Sequence, residues 1–302
     1  MAVFPFCSLQ TDARGMELAE HGSALFPVSC YDEDLVQTPV AWHWHEDLEI
    51  LVITEGTARI DTGTERLLLP RGQGLFINAG MLHSIHSSED GPCALRSLVF
   101  HPRLAGGSAD SIFWQNYIQP LVQNEGLKYV LLDGSLPWHP EAFQSFWTAW
   151  DACARETFGY EFQVRSSLSW LLFLLFSHRP ADASPPSERI RRSTERTKQM
   201  IQYIQEHFSE EPTTAEIAAS AGISESEALR CFRSTIGMPP ARYLKQYRVE
   251  RAAALLSSSL YKISEIGSMC GFGDASYFTK LFREQKGCTP TQYRQKNLPD
   301  LR

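Results

Sequence analysis

The run GFGDASYFTKLFREQKGCTPTQYR, Gly271 to Arg294, constrains the fold more than any other stretch, because a counterpart begins upstream at Thr213. Gly271 breaks the end of one helix, and Asp274 or Ser276 is placed to cap the next. Phe278, Leu281 and Phe282 then recur at helical spacing and give that helix a buried stripe. Ala275, Ser276, Thr279, Lys280 and Arg283 fall on its other sides. In the upstream copy, Thr213 or Thr214 caps a helix through Ile217, Ala218 and Ala221, with Gly222 at the turn. Ser224 caps the following helix, and Glu227 three residues later completes a capping-box pattern. Ala228, Phe232 and Ile236 of that helix point inward, while Ser226, Leu229, Arg230 and Arg233 point out. A helix, a glycine turn and a second helix with a small, polar and basic outer face is the pattern of a helix-turn-helix; a plain surface hairpin shares its outline. No other internal repeat is present. Between the copies, Pro239 or Pro240 opens a helix carrying Tyr243, Leu244, Tyr247, Arg248, Ala252, Leu255 and Leu256. About eighteen helical residues span roughly 27 Å, and successive major-groove faces lie about 34 Å apart. Such a helix suits a bridge between two readers of one duplex.

The charge balance divides the chain in the same place. The net charge of −7 argues against a nucleic-acid binder until the halves are separated. Residues 1–187 carry 10 Lys/Arg and 22 Asp/Glu, a net of −12, whereas residues 188–302 carry 18 and 13, a net of +5. The basic half is the helix-turn-helix half, as contact with phosphates requires.

Residues from about Arg196 to Arg294 resemble the DNA-binding domain of the AraC family of bacterial transcription regulators. The resemblance is carried by Ser224, Arg230, Phe232 and Gly237 in the first unit, and by Tyr243, Arg248, Ala252, Leu255 and Leu256 in the bridge. It continues through Ile263, Ile266, Gly271, Phe272, Asp274, Ser276, Tyr277, Phe278, Phe282, Gly287, Thr289, Pro290, Tyr293 and Arg294. Two positions depart from the pattern: Ala228 replaces a usual leucine and Gly267 a usual alanine, the latter at a cost of up to about 1 kcal/mol in helix propensity. The resemblance implies a sequence-specific regulator of double-stranded DNA, a small-molecule effector, a homodimer and, for an activator, contact with RNA polymerase. It places Ser226, Leu229, Arg230, Ala275, Ser276, Thr279 and Lys280 toward the bases. Arg230 and Lys280 are suited to guanine, while Arg233 and Arg283 are suited to phosphate.

The first half reads as β-rich, with short strands at Leu48–Thr54, Thr57–Asp61, Glu65–Leu69, Gly74–Ile77 and Leu95–Phe100 separated by glycine-containing turns, the spacing of a sandwich or barrel. Within it stands His43-x-His45-x3-Glu49-x6-Gly56, followed by Gly74-x5-Gly80-x2-His83. Residues 43, 45 and 49 share parity, so one continuous strand would aim all three at one face. Trp42 and Trp44 have the opposite parity and read as outer packing residues. These motifs resemble those of the cupin barrel over about residues 38–102, although Asn78 replaces a frequent proline. In metal-binding cupins the matching positions supply three imidazoles and a carboxylate. His43, His45, Glu49 and His83 are therefore candidates for a metal site; the preferred reading is a metal-free pocket in which the same side chains hydrogen-bond an effector, with no cofactor required. Arg59 is added to the effector set, either clamping an acidic compound or pairing with Asp61 or Glu65. His86 lines the rim or is exposed. A sugar is one effector class, because many relatives sense them. A metal-dependent enzyme is the weaker alternative, because the fused reader explains a pocket without chemistry, and no phosphate loop or nucleophile elbow is present.

Ser111 to His178 reads as mostly helical, with runs at Glu141–Thr157 and Phe162–Ser177 forming a helix hairpin packed on the barrel; Leu171–Phe176 is dense enough for a dimer seam, with intramolecular core an equal alternative for any one residue there. The expected organisation is a cupin-like effector-binding barrel (1–108), a helical connector (109–178), a proline-rich linker (179–189) and an all-α DNA-binding domain with two helix-turn-helix units (190–302). A constitutive regulator whose barrel only dimerises remains a rival. Seven scattered cysteines without a CxxC pair, and an opening MAVFPFCSLQTDARG without a long apolar core, lead us to expect reduced thiols and a cytoplasmic, membrane-free protein.

Overall fold

The computed structural model describes residues 21–63, 65–88, 91–179 and 187–297. The chain divides into two compact units, with the division among the described residues falling between Arg191 and Arg192. The prolines of the expected linker and the opening stretch lie outside the described residues.

Among the described residues the first unit holds nine strands: β1 (Val28–Asp34), β2 (Val40–His43), β3 (Leu48–Glu55), β4 (Thr57–Thr62), β5 (Arg66–Pro70), β6 (Gly74–Ile77), β7 (His83–Ser87), β8 (Ala94–Phe100) and β9 (Tyr129–Leu132). They form a five-stranded sheet in the order β1-β8-β3-β6-β9 and a four-stranded sheet in the order β2-β7-β4-β5, with every pairing antiparallel. In β4, Ala58, Ile60 and Thr62 are buried and the residues between them half-exposed, so this strand covers one face only. In β3 the first six residues are all buried. Ile50 and Val52 join a core with α3 (His139–Arg155) and α4 (Tyr160–Ser177), while Glu49 on the opposite face lines the barrel interior. A strand sandwiched in this way loses the polar alternation of an exposed sheet face. Phe146 and Cys153 of α3 are fully buried in that core, and the Trp150 indole Nε1–H donates to the Tyr31 carbonyl at 3.3 Å.

Three features of this unit settle or revise points of the sequence reading, each with a physical cause. First, the supposedly helical connector contributes β9, whose Val130 pairs with Phe76 and extends the larger sheet; its helical part begins with α1 (Arg103–Gly106), a π-helical turn (Trp114–Ile118) and α2 (Gln119–Val122). Second, Asn78 occupies the proline position because its side chain is a junction. Its Nδ2 donates to the carbonyls of Leu121 and Leu127 at 3.0 and 2.8 Å, and its Oδ1 accepts from the Ala79 N–H. Third, Leu171, Leu172, Leu174 and Leu175 are buried within the unit, so they are core and not a seam. The apolar side chains that α4 leaves uncovered are Phe162 (82% exposed), Trp170 (47%) and Phe173 (42%).

The second unit is helical: α5 (Glu188–Glu206), α6 (Thr214–Ser220), α7 (Glu225–Ile236), α8 (Pro240–Ser258), α9 (Ile263–Met269), α10 (Ala275–Lys286) and α11 (Pro290–Asn297). Thr213 forms the full reciprocal capping box with Glu216. Ser224 caps α7 by accepting from the Glu227 N–H, but the Glu227 carboxylate turns to the Arg196 guanidinium at 2.6 Å. The box is therefore only half formed there. Asp274 caps α10, accepting from the Tyr277 N–H at 2.6 Å. Gly271 has φ +78°, and a Cβ there would lie 2.6 Å from the Phe208 carbonyl oxygen and 2.8 Å from Arg248. Arg248 fills that space, donating from Nε to the same carbonyl at 2.6 Å. At Gly267 a Cβ would stand 3.1 Å from the Phe278 ring, so the departure from alanine is matched by close packing of Phe278. Val249, Ala252, Leu256, Ile266, Phe278 and Phe282 make up much of the core joining α8, α9 and α10. We expect Phe282→Ala to cost about 3–5 kcal/mol and Asp274→Ala about 1 kcal/mol, measured by urea unfolding of the full chain; equal losses would contradict the division into core and cap.

Candidate functional site

The four residues picked out in the first half meet, although not by the expected route. β2 ends at His43 and belongs to the smaller sheet, whereas Glu49 lies in β3 of the larger one. The chain crosses between sheets at residues 44–47, and His45 sits in that crossing. Strand parity therefore does not unite the three; the crossing does. His83 joins them by pairing opposite His43 on β7. The flanking Trp42 and Trp44 are buried and do not line the cavity beside the cluster.

All four side chains are buried, at 3% exposure for His43 and His45, 5% for Glu49 and 0% for His83. One ligand-capable atom from each lies within 4.8 Å of those of the others. Glu49 Oε2 is 3.2 Å from His83 Nε2 and 3.5 Å from His45 Nε2. The His43 and His83 ring centroids are 4.2 Å apart. Each imidazole is held from behind: Nδ1 of His43 donates to the Ala41 carbonyl at 2.9 Å, His45 to Asp47 at 2.8 Å and His83 to Met81 at 2.8 Å. A carbonyl oxygen only accepts, so each Nδ1 carries the hydrogen and each Nε2 faces the cluster. Burial on its own would raise the Glu49 carboxyl pKa; hydrogen bonds from His45 and His83, and their charge, outweigh it and hold the group well below the usual carboxylate range.

Beside the cluster is a cavity of about 20 Å³ lined by His21, Tyr31, Glu33, His43, His45, Glu49 and Ser97 with apolar neighbours. Nδ1 of His21 is 2.9 Å from the Tyr31 hydroxyl, and Glu33 Oε2 accepts from the Thr38 hydroxyl at 3.3 Å. Sequence reading missed this wall. Tyr31 and Glu33 share a face of β1, and Ser97 interrupts the apolar residues of β8, so those two strands held a usable signal; His21 held none. Arg59 stands apart from the cluster. It projects from the half-exposed face of β4 and pairs with Asp61 at 2.9 Å. His86 is half-buried and pairs in register with Arg59.

In the second unit, Ser226, Arg230 and Arg233 on α7, and Ala275, Ser276, Lys280 and Arg283 on α10, are exposed, with Leu229 and Thr279 half-buried. None belongs to the core. The Arg230 side chain is 70% exposed, its nearest acid being Glu227 at 3.9 Å. Thr279 Oγ1 donates to the Ala275 carbonyl at 2.9 Å. Ala275, Ser276, Thr279, Lys280 and Arg283 line one shallow groove, with Glu284 and Thr289 at its edge. The outer faces of α7 and α10 thus combine small, hydroxyl and cationic side chains, a set suited to base edges and phosphates. The six described cysteines are free thiols. Hydrogen bonding to Cys30 together with burial raises the Cys153 thiol, and burial pushes Cys270 up to about 11, so neither is primed as a reactive thiolate. Among the described residues no helix is long and apolar enough to cross a membrane.

Because the folded Glu49 carboxyl lies below its unfolded value of about 4.3, its contribution to stability is full above that pH and is lost as pH falls toward the folded value. Glu49→Gln is therefore expected to flatten the acid limb of the stability curve below about pH 4.3; denaturant titrations at several pH values check this, and an unchanged limb would count against a buried carboxylate.

The family model of the AraC-like ligand binding domain matches residues 25–172, and that of a helix-turn-helix domain matches residues 217–296. The uncharacterized HTH-type transcriptional regulator YdeC of Bacillus subtilis (strain 168) is 28% identical over 289 residues, covering 95% of this chain and 98% of its own. The HTH-type transcriptional activator RhaR of Shigella dysenteriae serotype 1 (strain Sd197) is 26% identical over 280 residues, covering 92% and 94%. Apo ToxT from Vibrio cholerae covers 92% of this chain and 100% of its own at 13% identity, with a TM-score of 0.49. The matched domains and relatives are those of regulators and not of enzymes. With a ligand-binding β-domain ahead of paired helix-turn-helix units, the chain belongs to the AraC family of DNA-binding transcription regulators.

Proposed function

We propose that this protein is a dimeric, cytoplasmic transcription activator whose grip on its operator is set by a small effector in the barrel. The observation that carries this reading is the pairing of two uncovered recognition faces in one unit with a buried polar cluster and cavity in the other. The domain borders we adopt are a barrel over 1–108 to which β9 of the connector adds a strand, a connector over 109–178, a linker over 179–189 whose end overlaps the start of α5, and a reader over 190–302. Ser226, Leu229, Arg230, Ala275, Ser276, Thr279 and Lys280 face bases; Arg233 and Arg283 hold phosphate. As an activator the protein also meets RNA polymerase, in keeping with its similarity to the transcriptional activator RhaR.

The effector contacts are His43, His45, Glu49 and His83; Arg59, paired on the outer side of β4, is left out. A cavity of about 20 Å³ holds roughly one water, against about 300–1,000 Å³ for pockets that enclose drug-sized organic ligands. The space therefore favours an effector of ionic or similarly small size over a sugar. Whatever binds must prefer one arrangement of the units, since equal affinity for two shifts nothing. The dimer surface we assign is the uncovered face of α4 with Phe162, Trp170 and Phe173, joined by Tyr117, whose ring lies 6.5 Å from Phe173.

Selection of binding sites from random duplex DNA by the full chain provides the operator for these tests. Arg230→Ala should cost about 1–3 kcal/mol and relax one base position, whereas Arg283→Ala should weaken all sequences alike and lower the salt slope by about 1. Uniform weakening by Arg230→Ala would reassign it to phosphate. Sedimentation should show a dimer for the unmodified chain and monomers for Phe173→Glu; a dimer that survives this change moves the interface elsewhere.

A further inference from the structure

We infer that Arg196 is a positioning residue for sequence reading: by holding the Glu227 carboxylate, it leaves the Arg230 guanidinium available to its base. The inference rests on the assignment of Arg230 to a base edge above; the pairing itself rests on geometry within the second unit.

Glu227 and Arg230 stand three positions apart on α7, so their side chains share one face. A carboxylate at that place is a competitor. A guanidinium pairs with it through the same planar fork of donors that meets O6 and N7 of guanine. The contest is decided from α5. Arg196 Nη1 donates to Glu227 Oε1 at 2.6 Å, whereas Arg230 Nη2 lies 3.9 Å from that same oxygen, beyond hydrogen-bonding reach. The Arg230 side chain stays 70% exposed, while those of Arg196 and Glu227 are only about one-third exposed.

Other helices of the unit show that this placement of Glu227 is not needed to start a helix. On α6, α9 and α11 the acid or amide three residues after the cap turns back to the cap N–H: Glu216 to Thr213 at 2.8 Å, Glu265 to Lys262 at 2.8 Å and Gln292 to Thr289 at 2.9 Å. On α7 the equivalent carboxylate goes to Arg196 instead. A part-exposed ion pair adds little to stability in water, so the fold gains little from this exchange. On a duplex the balance changes. Water leaves the interface, charges interact more strongly, and a carboxylate without its cation would face phosphates at a high cost. Without Arg196, the cation left within 4 Å of Glu227 among the described residues is Arg230. Pairing there would take the fork away from the base.

The test measures affinity of the full chain for its selected operator and for duplexes carrying each of the four bases at every position of that site. Arg230→Ala marks the position that Arg230 reads. Arg196→Gln should lower discrimination at that position by at least about fivefold and leave the preferences at other positions in place. Adding Glu227→Gln to Arg196→Gln should restore the discrimination. Glu227→Gln alone should keep it, as should Arg196→Lys, whose ammonium still pairs with the carboxylate. A mere brace between α5 and α7 predicts otherwise: a lower melting temperature, equal weakening on all sequences and no rescue by removing the second partner. Equal weakening with a shallower salt dependence would make Arg196 a phosphate contact, and lost discrimination on Glu227→Gln alone would make Glu227 itself a reader; either result overturns the inference. If Arg230→Ala relaxes one position and Arg196→Gln leaves it untouched, the base assignment stands and the positioning role falls. If Arg230→Ala weakens all sequences alike, the base assignment falls and takes the positioning role with it.

Discussion

A carboxylate and three imidazoles removed from water between two sheets set the terms for the first unit. An ionised group in such a place is costly unless paired and hydrogen-bonded, and the surrounding fold supplies those partners. His45 and His83 approach the Glu49 carboxylate, and three backbone carbonyls hold the rings from behind. Those carbonyls come from Ala41 in β2, Asp47 in the crossing and Met81 before β7, so the geometry of the cluster is tied to the path of the chain between the sheets. The larger sheet is stiffened from its other side by α3 and α4, whose buried leucines and aromatics pack on Ile50, Val52, Phe76, Leu98 and Phe100. A site on strands braced in this way is held more precisely than one on free loops.

The second unit follows a different logic. Its chemistry lies on the surface, and the interior only has to present two short helices. Caps at Thr213, Ser224 and Asp274 define where helices begin, and glycines at 222 and 271 permit the turns. α8 runs for 19 residues, roughly 28 Å at 1.5 Å each, and its apolar side packs on the helices it joins. The charge difference between the halves fits this division: an acidic half with a buried polar site and a basic half with an open one.

Much of the helical unit was legible because its determinants are local. Capping residues, turn glycines and a 3.6-residue apolar period each act within a few positions, so Ser224, Gly271 and the Phe278–Phe282 stripe could be read in order. The partner of Glu227 was not legible, because Arg196 lies 31 positions away and competes successfully for its carboxylate. In the barrel, the middle strands showed as short β-prone runs, but β9 hid within a helical stretch because it gains its partner from β6 more than fifty residues upstream. Leu171 to Leu175 could be read equally as dimer seam or as core, since apolar density alone does not tell an inner face from an outer one.

The residue types at 43, 45, 49 and 83 followed from the sequence alone, as did two helix-turn-helix units and the acidic and basic halves. Tertiary structure decided how the four meet: a crossing between sheets replaces the shared parity of one strand. It also decided who surrounds them, bringing His21, Tyr31, Glu33 and Ser97 to the cavity and leaving Arg59 with Asp61 outside. The reason is that sequence spacing reports neighbours along one element, whereas a cavity is enclosed by faces of several strands brought together by long-range pairing.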